Sequence, residues 1–482
     1  MTLGPGKPLA GSGSKQPEDV IRREKDYKLR SVKLIDKDGR EFDLSSHWVN
    51  ITYEESIFTG FIHGTIWILD AVDYVSLVPI IGEEKIEVVF TRPDEKAPPG
   101  QGSLLEDIVF TGVIYEIPGR EIQGASQKAQ SYAMKFISEA AIENLKRKVN
   151  KSFKAKKFSE IVETIIEENI PTKPIFVENT RYDHDWIVCN EKPISAIKRI
   201  SKYSVSSDSR NRSSYIFFED RDEYKFVTLG YLFDQQPLKT LTYKIPNVLS
   251  NSSGGFKHRD RRLDEDKDGV NIMNNVESYH VDRSFNIIKN LSSPNYSSKL
   301  ITVDPIRRIY DDETNVFDLN SEWENLRHPE GSDKKTFSES NIALNAPDSH
   351  IKMIITNKEH DIVPSIAEKD PTVRPFNYEE SILYREAQFE QLKRNTVSLT
   401  MSGDPRVKAG SIIKFEVPKV MGKHSDEFPE ELDEYLQGNY IVSSVAHALE
   451  RNAYSCNMVL MKTGFSGNIL PRDPVEEYKT VY

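Results

Sequence analysis

The reading of the fold turns on the stretch "YREAQFEQLKRNTVSLTMSGDPRVKAGSIIKFEVPK", Tyr384 to Lys419. It begins as a charged helix, expected over Ser381–Arg394, and turns into two strands separated by a link rich in turn residues. In the first strand Val397, Leu399 and Met401 take one face, and Thr396, Ser398 and Thr400 the other. In the second, Ile413, Phe415 and Val417 alternate with Lys414 and Glu416. A period of two predicts a sheet with one dry and one wet face. Nothing in the stretch carries catalytic chemistry, so a charged helix before a two-faced sheet reads as architecture.

Downstream, "QGNYIVSSVAHAL" and "YSCNMVLM" are two more strands. Upstream, Val32 to Leu44 reads as a hairpin around "DKDG". Strands follow at Val49–Tyr53, Gly64–Leu69, Ile86–Phe90 and Ile108–Ile117, with the Pro/Gly loop "TRPDEKAPPGQGS" before the last. Between the two β regions, "KKFSEIVETIIEENIP" sets Phe158, Ile161, Val162, Ile165 and Ile166 on one helical stripe that Pro171 ends. A second helix starts at Pro193 and buries Ile194, Ile197 and Ile200. "SYIFFEDRDEYKFVTL" reads as a hairpin with a polar turn. After the polar link "NSSGGFKHRDRRLDEDKDG", strands are expected at Val276–Val281, Phe285–Ile288 and Lys299–Val303, and "HIKMIIT" is the best strand of a polar, Pro-spotted region. The fold class is therefore α+β, β-rich and multidomain. The expected divisions are a flexible arm 1–26, a β module 27–135, an α+β domain 136–250, a second β module 251–318 with 381–465, an inserted domain 319–380 and a tail 466–482.

The chain has 482 residues, beyond the roughly 250–300 at which a single core stops growing. With 38% hydrophobic and 10% aromatic residues it is a folding sequence. Lys plus Arg number 64 and Asp plus Glu 75, a net charge of −11. That balance argues against a sequence-reading nucleic-acid binder, which needs a basic face. Cys189 and Cys456 are too few for a disulfide framework and read as two buried thiols of a protein made in a reducing cytoplasm. No apolar run approaches the length of a membrane span, so no membrane anchor is expected. The first twenty residues lack the apolar core of a signal peptide.

An echo links the two β regions. Gly82 precedes "KIEVVF" and Gly112 opens "VIYEI"; Gly410 precedes "IIKFEV" and Gly438 precedes "YIVSSV". Duplication and chance recurrence of a Gly-then-strand pattern both account for it.

Candidate chemistry is sparse. In "DEDKDGVN", Asp264, Asp266, Asp268 and Gly269 match the first, third, fifth and sixth positions of a calcium loop. The twelfth position is Asn275 rather than Glu, the eighth is Asn271, and no amphipathic helix leads in, so a solvated acidic turn is the simpler reading. The His residues show no metal-binding spacing. "DHDW", Asp183 to Trp186, reads as a turn ahead of a strand rather than a carboxylate-oriented His. Cys456 alternates with strand residues and belongs to a core. The basic run "NLKRKVNKSFKAKK", ending at Lys157, reads as an exposed helix end and linker, with a phosphate-contacting patch as the alternative. No catalytic residue, cofactor site or metal site is assigned.

The order of elements, from "FSEIVETIIEENI" and "YIFFEDRDEYKF" to the closing "TVSLTMSGDPRVKAGSIIKFEVP", "GNYIVSSVAHAL" and "YSCNMVLM", resembles the baseplate hub protein of contractile-tailed phages of the T-even type. The late-control tail protein of other phages and the N-terminal half of type VI secretion spike proteins are related to that family. The resemblance spans about residues 30–465 and rests on apolar and Gly positions. It implies a structural virion protein of the tail baseplate with two tube-like β modules per chain. It further implies a homotrimer that adapts a sixfold tail tube to a trimeric central spike and surrounds a DNA channel, with the tape-measure protein and baseplate wedge proteins as neighbours. The resemblance favours duplication as the source of the echo. It places Thr396, Ser398 and Thr400 towards the channel or a neighbouring chain, and the basic run outside the channel. The dry face, Val397 to Val417, is expected to pack under the Ser381–Arg394 helix. No oligonucleotide-binding barrel, β-helix spike or lysozyme-like segment is recognised, so the spike is expected on a separate chain. The alternatives are a hub of a type VI or extracellular contractile injection system, a tail-associated cell-wall hydrolase and a host-surface binding module.

Overall fold

Alternating sequence condenses into one long sheet that curls around its own core. The structure, a computed structural model, describes residues 25, 27–78, 80–92, 106–123, 129–209, 211–243, 274–283, 286–305, 308–311, 315–329, 347–355, 378–419 and 432–464. The N-terminal β region holds β1 (Lys28–Ile35), β2 (Glu41–Asp43), β3 (Trp48–Ser56), β4 (His63–Asp70), β5 (Lys85–Thr91), β6 (Ile108–Glu116), β7 (Arg120–Gln123) and β8 (Ala129–Ile137). Next come β9 (Val149–Lys157), β10 (Ile175–Val177), β11 (Asp183–Glu191), β12 (Tyr215–Glu219) and β13 (Tyr224–Thr228). They are followed by β14 (Thr240–Thr242), β15 (Val276–Arg283), β16 (Ser297–Asp304), β17 (Ile309–Asp311), β18 (Val316–Asp318) and β19 (Ile351–Ile355). The chain closes with β20 (Asn395–Ser402), β21 (Ile412–Glu416), β22 (Gly438–Glu450) and β23 (Ala453–Lys462).

Among the described residues fourteen strands form the large sheet, with the path β15-β20-β23-β22-β3-β4-β8-β6-β5-β1-β2. The two β regions join where β3 meets β22, pairing Ser56 with Ser444 and Asn50 with Glu450. The two halves of the echo each form an antiparallel pair, β5 with β6 and β21 with β22. One apolar core fills the dry face from Val32, Phe90 and Phe136 through to Met401, Phe415 and Leu460. Five strands separate β5 from β23 along the sheet, yet Phe90 meets Tyr454 at 5.2 Å. Tyr53 of β3 stacks on Phe110 of β6 at 4.0 Å. The sheet therefore turns its dry face inward on itself.

That curl corrects one expectation. Val397, Leu399, Met401, Ile413, Phe415 and Val417 are all in this core, but the helix Tyr378–Leu392 does not cover them. Its Leu383 and Ala387 pack with Tyr296, Leu300, Phe317 and Trp323, and its Leu392 packs with Ala409, Ile412 and Ile441. The dry face is already occupied by opposing strands and leaves the helix no apolar surface there.

The helical stripes fall as their spacing requires. Helix Phe158–Asn169 and helix Pro193–Ser201 bury Phe158, Ile161, Ile165, Ile194, Ile197 and Ile200 in a second core. Hairpin β12–β13 is buried on both faces: Phe217 and Phe226 enter that core, while Phe218 and Val227 enter a third cluster against Ile412 and Ile441. The hairpin thereby fastens the α+β region to the large sheet. A four-stranded sheet centres on β16, antiparallel to β17 and β18 and parallel to β19. Its outer side exposes Tyr310, Val316, Ile351, Met353 and Ile355. Of the strand expected at Phe285–Ile288, Phe285 lies outside the described residues, and Ile287 and Ile288 instead open the helix Ile287–Leu291, because the Asn286 side chain accepts the Lys289 N–H at 3.0 Å and caps it.

Candidate functional site

Cross-strand partners present their side chains to the same face of a sheet. The registers therefore lay out the wet face in rows. One row runs Ser278, Thr400, Asn457, Ala446, Glu54, His63. The next runs His280, Ser398, Val459, Ser444, Ser56. Together they line an open trough of about 740 Å³. Thr400 Oγ1 donates to Asn457 Oδ1 at 2.8 Å. His63 Nε2 lies 3.2 Å from Glu54 Oε2, and that bond raises the His63 pKa. Neither row contains Lys or Arg. Thr396 lies outside the trough: it pairs with Met461, which packs with the end of helix Tyr378–Leu392.

Elsewhere on this face three lysines are matched by carboxylates. Lys135 pairs with Glu116 at 2.9 Å, Lys85 with Glu139 at 2.9 Å and Lys33 with Glu41 at 2.8 Å. At the sheet's β21 side Lys414 pairs with Glu416 at 2.7 Å. Trp67 and Leu69 are half-exposed on the same face of β4. The trough itself is open and its rows are rich in Ser, Thr and Asn.

The basic run closes the helix Glu139–Lys146, as expected, but its remainder forms strand β9 rather than a linker. Lys146 and Arg147 pair with Glu143 at 3.3 and 3.1 Å, Lys151 with Glu168 at 2.5 Å and Lys156 with Glu160 at 2.9 Å. His184 is buried and stacks on Phe158 at 4.2 Å. Asp264, Asp266, Asp268 and Gly269 lie outside the described residues. No three His, Cys, Asp or Glu among the described residues converge as metal ligands. No helix among them is long and apolar enough to cross a membrane.

The expectation of two buried thiols holds for Cys456 and fails for Cys189, which is exposed. In β11 the side chains of His184, Trp186 and Val188 point inward, so Cys189 points out. Sequence spacing missed a Cys–His contact. Strands β22 and β23 pair His447 with Cys456, bringing Nδ1 within 3.3 Å of Sγ and 2.8 Å of the Tyr454 hydroxyl. The pair has the layout of a nucleophile and base but the opposite electrostatics. Burial pushes the Cys456 thiol up to about 12. Burial, and then Arg221, push His447 down to about 3. A reactive thiolate needs the reverse, so the contact serves the core.

No family profile matches the chain. Over 85 residues it is 33% identical to a probable baseplate hub protein of Vibrio phage KVP40. The chain is similar to a phage baseplate hub protein. The matched segment is 17% of this chain and spans 20% of that relative's length. A tail protein from Neisseria meningitidis MC58 shares the fold at TM-score 0.50 and 10% identity, over 90% of this chain and 96% of that one. The 43 kDa tail protein of prophage MuSo2 from Shewanella oneidensis superposes at TM-score 0.46 and 10% identity, over 89% of this chain and 97% of that one. The resemblance read from the sequence is borne out, and the β-rich architecture is that of a tail protein.

Proposed function

We propose that this chain is the structural hub at the centre of a contractile phage tail's baseplate, with no catalytic role. Three copies form a ring in which the two β regions of each chain supply six similar units. The ring presents six units to a hexameric tail tube and three subunits to a trimeric spike, with the tape-measure and wedge proteins around it. The observation that carries this reading is the curled sheet: it spans both β regions and, among the described residues, leaves one long polar face open.

That face serves as the wall of a DNA channel. Each phosphate that a protein neutralises releases counterions and tightens binding. A wall rich in Ser, Thr and Asn, with Lys33, Lys85, Lys135 and Lys414 already paired, lets duplex DNA slide. Light scattering tests the assembly: the expected mass is three times 55.2 kDa, alone or once the spike protein is added. A stable monomer under both conditions overturns the reading. A trimer whose axis is lined mainly by Lys and Arg overturns the channel assignment. Purified cell-wall material should remain intact in the protein's presence, and its hydrolysis would replace the structural role with an enzymatic one.

A further inference from the structure

The turn of hairpin β12–β13 enters the large sheet between β3 and the 403–411 loop. Arg221 donates to the Pro405 carbonyl at 3.1 Å. Lys408 pairs with Asp222 and lies 3.8 Å from Asp220. The Ile62 N–H donates to Glu219 Oε2 and the Ala409 N–H to Glu55 Oε2, each at 3.2 Å. Three carboxyl groups thus converge at the joint between the α+β region and the sheet. Glu55, Glu219 and Asp220 are 1%, 1% and 0% exposed.

They are not equally compensated. Glu219 has Lys173 at 2.7 Å, Asp220 has Lys225 at 2.9 Å, and Asp222 has Lys408. Among the described residues Glu55 has no ion-pair partner. The groups facing it are Asp220, Arg221 and Lys408 from the hairpin and loop; Tyr53 lies two residues away on β3, and His447 is in the core nearby. A buried carboxylate without a cation of its own is costly when ionised and comfortable when protonated.

We propose that Glu55 is a proton-operated latch on this joint. Protonated, it lets the hairpin turn seat beside Asp220; the Ala409 amide favours the ionised form, but burial and Asp220 outweigh it. Ionised, it repels Asp220 and loosens the seat. Burial, and then Asp220, push the Glu55 carboxyl up from 4.5 to about 7. Asp220, against the upward push of burial, is held low by Lys225 and stays charged across this range. A carboxyl that binds its proton more tightly in the closed joint favours closure at low pH. That contribution is complete below about pH 4.5, is lost as pH rises towards 7, and changes little above it. The latch concerns the joint within one chain and stands apart from the hub reading.

Hydrogen exchange at the Ala409 and Ile62 amides tests it, comparing the full-length protein with Glu55→Gln at each pH so that intrinsic exchange rates cancel. The expected result is a wild-type to variant ratio of opening that climbs roughly tenfold or more between pH 5 and 7 and then levels. A constant ratio overturns the latch. Should Glu55→Gln fail to fold, the wild-type profile decides, once corrected for intrinsic exchange. Opening that does not change between pH 5 and 7 overturns the proposal. A rise that Lys408→Met moves to higher pH supports it, because that variant removes a cation that favours the ionisation.

Discussion

At the scale of single residues, two glycines separate space from strain. A Cβ on Gly64 would lie 2.2 Å from the Thr52 carbonyl oxygen and 2.3 Å from the Phe136 ring. Backbone cannot move aside, so Gly64→Ala is expected to cost more than about 3 kcal/mol. Gly39 in the "DKDG" turn has φ of +79° and nothing within 4 Å of a built Cβ. There Gly39→Ala meets only the left-handed penalty, about 1–2 kcal/mol. Denaturant midpoints at unchanged m-values measure both. The cysteines offer a second check. A thiol reagent should label one site in the folded protein, Cys189, and a second only after unfolding. Asp404 adds a pH dependence of the ordinary acidic sign. Burial pushes its carboxyl up, but Arg406 and Lys239 outweigh that and hold it well below the usual range. Its stabilising effect is therefore present above about pH 4 and lost as pH falls. Asp404→Asn should cost about 3 kcal/mol at neutral pH, with the gap to wild type closing in acid unfolding curves.

Elements show where the sequence could be read and where it could not. Strand alternation from Thr396 to Val417 and the stripe from Phe158 to Ile166 were legible, because each records a partner lying on one side only. Helix Tyr378–Leu392 was legible as a helix but not in its docking. It is wedged between two clusters, Leu383 and Ala387 towards one and Leu392 towards the other, so it has no single stripe to read. Its Arg385 reaches the carbonyls of Ser201, Ser213 and Tyr215 at 3.0, 3.3 and 2.5 Å. Those acceptors lie about 170–184 residues away in the chain, and no local pattern announces them. Arg385→Met would leave them buried without a donor, at an expected cost of about 2–4 kcal/mol. Thermal unfolding of that variant should also show greater protease sensitivity between 378 and 392. The His447–Cys456 contact and the Glu55 cluster escaped sequence reading for the same reason: strand register and hairpin seating create them.

Across the whole molecule, charge and connectivity carry the consequences. With a net charge of −11 and Lys33, Lys85, Lys135 and Lys414 of the wet face paired, duplex DNA should bind more weakly than about 100 µM at physiological salt. The triple variant Ser398→Lys, Thr400→Lys, Ser444→Lys should bind measurably in a gel shift and lose that binding as salt rises. The joining of the two β regions was not legible, since the alternation in β3 and β22 states that each has a face but not that they are neighbours. That pairing of Ser56 with Ser444 also governs how the protein is born. At roughly 5–20 residues per second on a ribosome, β3 waits about 20–80 s before its partner strand has even been made. Throughout that interval the half-built sheet shows an open hydrogen-bonding edge to every other nascent copy nearby, so synthesis at high copy number calls for slow-release chaperones or for dilution, and chains arrested before residue 444 are the ones that will clump.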